Sequence, residues 1–276
     1  MSHDIPNDAY AMIIGAMKCG TTSLYLYLQD HPQICPAFKK EPEFFSENQS
    51  HKVDVEHYND LFSFDISTHK YTLEASTGYT KYPQEPQVAK KIYEYGIKPK
   101  FIYIMRNPFE RILSHISHVK FKKGESLPLL TIENEHLINT SRYFLQLEQY
   151  RQYFPVDNIL VLDFDDLKKT PALVLENVYD FLGLPYSFPE RYEIANSAKN
   201  KSTLKVNLQK SKMAPLFDYI PKPFKQIGYS TLERMFPSEK RVLTALEKDL
   251  VYDKLREDML NLQKVYGFDV GKWGWK

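Results

Sequence analysis

The residues best equipped for chemistry lie near the start of the chain. Between an apolar run, Ala9 to Ile14, and a segment with Leu24 and Leu28 at helical spacing stands Gly15-Ala-Met-Lys-Cys-Gly-Thr-Thr-Ser. The pattern reads as strand, tight loop and helix N-terminus. At such a junction the N–H groups of the first helical turn and the positive end of the helix dipole point into the loop. The loop therefore attracts an anion, most often a phosphate. Lys18 adds a charge, and Thr21, Thr22 and Ser23 add hydroxyl donors. The same residues could serve an ordinary turn, with Gly20 giving backbone freedom and Thr21 a cap. Two glycines, an internal lysine and three hydroxyls together favour the phosphate.

A triphosphate loop of the G-x-x-x-x-G-K-[ST] type carries its lysine after the second glycine, where it reaches the β- and γ-phosphates, and its Ser/Thr holds magnesium. Here Thr21 follows Gly20 and the lysine has moved inside the loop, to position 18. A triphosphate would lose its usual clamp; a group ending in a single 5′-phosphate would lose less. A second candidate anion position is Arg106, at the end of the apolar stretch Lys100 to Met105, with Asn107 as N-cap and Pro108 at the first helical position; it is either an anion ligand or one half of a surface ion pair. In open α/β sheets ligands bind beyond the carboxyl ends of the strands, where both Gly15 and Arg106 fall. Two anion sites at two strand ends suit a nucleotide phosphorylated at 5′ and 3′.

Two further stretches carry charge in unusual places. Lys40-Glu41-Pro42-Glu43-Phe44-Phe45 crowds opposite charges against two phenylalanines. It is either a solvated turn with tucked aromatics, or a loop that places a carboxylate to take a proton from an acceptor hydroxyl, with Lys40 holding it ionised. Asp163 ends the apolar stretch Ile159 to Leu162. It is either a capping aspartate or a magnesium ligand of Walker B type, and the missing Gly-Lys-Thr weighs against the metal.

These residues resemble a family. Gly15 to Ser23 is similar to the 5′-phosphosulfate loop of sulfotransferases that use 3′-phosphoadenosine 5′-phosphosulfate (PAPS), especially the heparan-sulfate-type and bacterial branches. Lys40 to Phe45 is similar to their K-E-x-x-F-F stretch, and Arg106-Asn107-Pro108 with Arg111 and Ser114 to their 3′-phosphate motif, R-[ND]-P-x-x-R-x-x-S. The resemblance implies that Lys18, Cys19, Gly20, Thr21, Thr22 and Ser23 hold the 5′-phosphosulfate. It implies that Arg106 and Ser114 hold the 3′-phosphate, and that Glu41 is the general base. Histidine is the base in some branches, which makes His118 its competitor. A basic loop late in the family's chain closes over the nucleotide; the lysine-rich, carboxylate-free stretch 194–217 offers Lys199 and Lys201 for that role. One departure stands out: Ala75 occupies the position of an active-site lysine in the heparan-sulfate branch, so Lys40 or Lys81 would replace that charge or the enzyme would work without it.

The elements that must position these residues follow from pattern and length. Strand and helix signals alternate, predicting α/β architecture: one domain over residues 1–276, with a central, largely parallel sheet flanked by helices on both faces. Helices are expected over Val88 to Tyr95, from Pro108, over Tyr143 to Phe154, from Pro171 to Leu182 and up to Gly267. Pro32 and Pro36 read as chain breaks, Arg111 and Ser114 lie off the apolar stripe of their helix, and Lys120 to Arg142 reads as irregular. Trp273 and Trp275 are expected to pack the tail. With 36 Lys and Arg against 35 Asp and Glu, binding to nucleic acid through net charge is not expected. Two cysteines, Cys19 and Cys35, fit packing roles in a reducing compartment. The first residues lack a basic, apolar leader and no stretch approaches the roughly 18 apolar residues of a membrane span. The expectation is a soluble cytoplasmic protein.

The sequence thus reads as a PAPS-dependent sulfotransferase working without metal. It would release 3′-phosphoadenosine 5′-phosphate (PAP) and act on a small-molecule, carbohydrate or carrier-bound acceptor. The alternatives are a P-loop kinase or NTPase and a non-catalytic nucleotide-binding module. The acceptor's identity and the oligomeric state leave no mark on the sequence.

Overall fold

The computed structural model describes residues 5–123, 135–187 and 241–276. Five strands, β1 (Tyr10–Gly15), β2 (Ile34–Pro36), β3 (Tyr71–Ala75), β4 (Lys100–Met105) and β5 (Ile159–Asp163), form one sheet in the order β2-β3-β1-β4-β5. Every pairing is parallel. All six residues of β1 are buried, as are Phe101 to Met105 of β4. Such near-continuous apolar runs are what a parallel strand covered on both faces requires. Met12, Ile13, Ile14, Phe101 and Ile102 are fully excluded from water, each contributing about 1.5–3 kcal/mol of burial.

The helices are α1 (Thr21–Leu28), α2 (Val88–Glu94), α3 (Pro108–Lys123), α4 (Glu135–Asn139), α5 (Tyr143–Arg151), α6 (Phe164–Lys169), α7 (Pro171–Leu182) and α8 (Ala245–Tyr266). Their limits follow local chemistry. Proline opens α7 and a left-handed Gly183 closes it. The Thr244/Glu247 capping box opens α8, and Gly267 ends it. Helix α5 has no side-chain cap of its own; instead Asp258 of α8 accepts from the N–H groups of Phe144 and Leu145 at 3.0 and 2.9 Å. The tail is pinned as expected: Trp275 stacks on Phe109 and on Tyr252, and Trp273 packs against Tyr143 and Phe268.

Three expectations change. Ile34 to Pro36 is a short edge strand rather than a break, since a sheet edge tolerates the missing N–H of proline. The stretch 120–142 is not irregular throughout: α3 runs to Lys123 and α4 begins at Glu135, while 124–134 lie outside the described residues. Helix α5 stops at Arg151, before Phe154.

Candidate active site

The carboxyl ends of β1, β3 and β4 lie side by side, and the candidate residues leave from them. From β1 the chain turns tightly: Ala16 N–H donates to Ile104 O at 2.7 Å and Cys19 N–H to Ala16 O at 3.2 Å. Lys18 adopts φ 72° and Gly20 φ 89°. Gly20 is the N-cap of α1 and supplies no side-chain cap, so the positive end of the helix opens onto the loop without a capping side chain from that position. A Cβ at Gly20 would run into the Phe164 ring. Thr21 and Ser23 are buried, and Thr22 is half-buried. Cys19 points the other way. Its thiol is fully buried, 3.9 Å from Tyr143 Oη, and burial pushes it up to about 11, against the opposing charge of Arg111. The Cys19 N–H is spent on Ala16 and its thiol donates to Met17 O at 3.8 Å, so both of its donors are used within the loop. Both cysteines are free and buried.

Arg106 follows β4, the neighbour of β1. Its Nε and Nη2 donate to Glu110 Oε2 at 3.0 and 2.7 Å, and its guanidinium lies 5.1 Å from the centre of the Phe164 ring. The ring that abuts Gly20 thus also carries Arg106. Asn107 Oδ1 accepts from Phe109 N–H at 3.0 Å, the capping role expected of it. The donor set fits a nucleotide with two phosphates: an uncapped helix start with Lys18 on one strand end, and an arginine already gripping a carboxylate oxyanion on the next.

Arg111, off the apolar stripe in sequence, is wholly buried. It donates to Ser141 Oγ at 2.5 Å and Leu137 O at 2.6 Å and faces His115 Nδ1 at 3.3 Å, locking α3 to α4. Burial, followed by the charge of Arg111, holds the His115 imidazole down to about 2. Ser114 and His118 are half-buried on α3. His118 is among the positive charges that act on His115, with Arg111, His136 and Lys18, whereas the charges around Glu41 are Lys40, His51 and Lys81. Lys199 and Lys201 lie outside the described residues.

Asp163 resolves in favour of the cap. Its Oδ1 accepts from Asp165 N–H at 2.9 Å, and its Oδ2 pairs with Lys272 Nζ at 2.6 Å. Both oxygens have protein partners, which disfavours the kinase reading.

Glu41 hangs from the end of β3, its N–H donating to Ala75 O at 2.9 Å. Lys40 Nζ donates to Glu41 Oε1 at 2.9 Å, Thr77 Oγ1 reaches the same oxygen at 3.5 Å, and His51 Nε2 is 3.9 Å from Oε2. Burial pushes this carboxyl up, but the charge and hydrogen bond of Lys40, aided by His51 and Lys81, hold it below the usual carboxylate range. Lys40 and Lys81 thus both bring positive charge to the place where Ala75 carries none. Beneath Glu41 lie two carboxylates that sequence reasoning missed, Glu43 and Glu74, both fully buried. Burial pushes the Glu74 carboxyl up to about 7 and raises that of Glu43. The only signal in the sequence is a glutamate interrupting the apolar strand Tyr71–Ala75. Among the described residues no group of three or more His, Cys, Asp or Glu is arranged to hold a metal, and no helix is long and apolar enough to cross a membrane.

The sulfotransferase domain model matches residues 8–219, a span that takes in the phosphate loop, Glu41 and Arg106. The chain belongs to the sulfotransferase domain family. This sulfotransferase-family chain is 29% identical over 204 residues to the bifunctional heparan sulfate N-deacetylase/N-sulfotransferase 4 of Mus musculus, covering 65% of this chain and 23% of that protein. It is 27% identical over 212 residues to the mouse heparan sulfate glucosamine 3-O-sulfotransferase 5, covering 72% of this chain and 60% of that one. It therefore spans only part of the length of these relatives. A sulfotransferase from Alicyclobacillus acidocaldarius shares its fold, with a TM-score of 0.67 at 21% identity, covering 98% of this chain and 100% of that one.

Proposed function

We propose that this chain moves a sulfuryl group from PAPS, in line and without a covalent enzyme intermediate, to a hydroxyl or amine of a carbohydrate acceptor. The observation that carries the reading is the placement of Glu41, kept ionised by Lys40, on the strand end beside the phosphate loop. Bound PAPS supplies the sulfuryl group and a 5′-phosphate leaving group. Glu41 takes the acceptor proton. Lys18, with the first-turn N–H groups and hydroxyls of Thr21 to Ser23, stabilises charge on the departing phosphate; one such preorganised donor is worth roughly 3–4 kcal/mol. Arg106 and Ser114 hold the 3′-phosphate and orient the nucleotide. Lysine and the helix terminus neutralise the leaving group, so the scheme works without a metal. The carbohydrate class is argued from the relatives, which are named for heparan sulfate.

The test is Glu41→Gln, assayed for PAP release with a glucosamine-containing heparan oligosaccharide. Turnover is expected to fall by about 10²- to 10⁴-fold, with PAP affinity unchanged. Full turnover in the variant would remove Glu41 from the chemistry.

A further inference from the structure

Glu41 sits on a loop that holds two non-glycine residues, Glu41 and Glu43, in the left-handed region, at φ 58° and 53°. Backbone of this kind persists only where its surroundings over-determine it. The determinant here is the Glu43 side chain. Its Oε2 accepts from Ser46 Oγ at 2.6 Å and its Oε1 from Gly78 N–H at 2.8 Å, while the Glu43 N–H donates to Ser76 Oγ at 3.0 Å. Ser76 Oγ in turn donates to Glu74 Oε2 at 2.9 Å, and Tyr58 Oη donates to Glu74 Oε1 at 2.8 Å. Position 78 has to be glycine for this fit, because a Cβ there would run into the Glu43 carboxylate.

The network fastens both ends of the Glu41-Pro42-Glu43 tripeptide to the segment that leaves β3. Glu41 is tied by its N–H to Ala75 O. Glu43 is tied to Ser76 and Gly78. His51 faces both carboxylates, with Nε2 3.9 Å from Glu41 Oε2 and 4.0 Å from Glu43 Oε1. Glu43 itself has no access to an acceptor, being fully excluded from solvent, whereas the Glu41 side chain is one-third exposed.

We propose that Glu43 is a positioning residue, a buried carboxylate clamp that fixes the Glu41 carboxylate at the end of β3 and takes no proton from the acceptor. The proposal rests on the reading of Glu41 as the base. Glu43→Gln keeps the side-chain volume but turns one acceptor toward Ser46 or Gly78 into a donor, so the clamp loosens without leaving a cavity.

Four proteins test it: wild type, Glu43→Gln, Glu41→Gln and the double variant. Turnover with PAPS and a heparan oligosaccharide and PAP affinity by calorimetry are measured for each, and the titration of Glu41 by carbon NMR of labelled carboxylates for wild type and Glu43→Gln, which retain it. Glu43→Gln is expected to lower kcat about 10- to 100-fold, the scale of a misplaced catalytic group. PAP affinity is expected to stay within about twofold, and the Glu41 titration to shift. In the Glu41→Gln background the same change is expected to cost less than about threefold, because residues that act as one unit are not additive. Ser46→Ala, which removes one donor and leaves the buried carboxylate, is the second variant should Glu43→Gln fail to fold; the same pattern is expected with a smaller loss. Equal losses in both backgrounds, or an unmoved Glu41 titration, would overturn the clamp. If Glu41→Gln kept full turnover while Glu43→Gln still shifted the Glu41 titration, the clamp would stand and the assignment of the base would fall.

Discussion

Removing the Arg106 side chain should cost the 3′-phosphate its grip and little else. In the free protein Arg106 directs Nε and Nη2 at a single oxygen of Glu110, a partly exposed i,i+4 pair, and such pairs are worth about 0.3–0.5 kcal/mol. A phosphate in place of that carboxylate would accept the same two donors with greater charge and less solvent. Hydrogen bonds to charged groups contribute about 1.5–3 kcal/mol each. Subtracting the ion pair and part of the desolvation leaves roughly 3 kcal/mol, or about 100-fold in affinity. Calorimetry of Arg106→Ala with PAP and with adenosine 5′-phosphate, at one fixed ionic strength because exposed charges are screened, separates this from a general effect. PAP should weaken about 100-fold and the monophosphate by less than about threefold. Equal weakening of both nucleotides would mean that Arg106 acts through the fold, by way of Phe164; no weakening of either would place the 3′-phosphate elsewhere.

Two other outcomes follow from the buried groups around the site. Glu74 is pushed up to about 7 from 4.5 by burial, so the stability its neutral form contributes is complete below about pH 4.5 and lost as pH rises through 7. The swing is about 3 kcal/mol. Urea unfolding of wild type and Glu74→Gln between pH 5 and 8.5 should show that fall only in the wild type, and parallel curves would refute it. Gly20→Ala places a methyl against the Phe164 ring at φ 89°. It should destabilise by about 1–3 kcal/mol and weaken PAP binding, read by thermal unfolding and calorimetry; an unchanged protein would show that the loop can shift without consequence.

What the sequence revealed was local, and what it hid was brought together by tertiary contact. The Asn107-Pro108 start of α3, the Pro171 and Gly183 limits of α7 and the apolar runs of β1 and β4 are set by neighbouring residues and were legible. Arg111 was not legible in this way: in sequence it lies off the apolar stripe of its helix, yet it is wholly buried and its partners come from α4 and the turn after it. Edge strand β2 was hidden because three residues ending in proline become a strand only when β3 lies alongside. Asp163 stayed open until Lys272, from the far end of the chain, closed it. At the candidate site the motif singled out Glu41, but the clamp of Glu43, Ser76 and Gly78 depends on the approach of two segments far apart in sequence. Cys19 looked like one of a run of loop donors, and only the packing against Tyr143 shows which way it points.

The most direct test of the nucleotide on which the account depends is a calorimetric titration of the wild-type chain with PAP in EDTA, set beside ATP with magnesium. Tight, metal-free binding of PAP with weak or absent binding of Mg-ATP is the predicted result. Binding of Mg-ATP alone would contradict it.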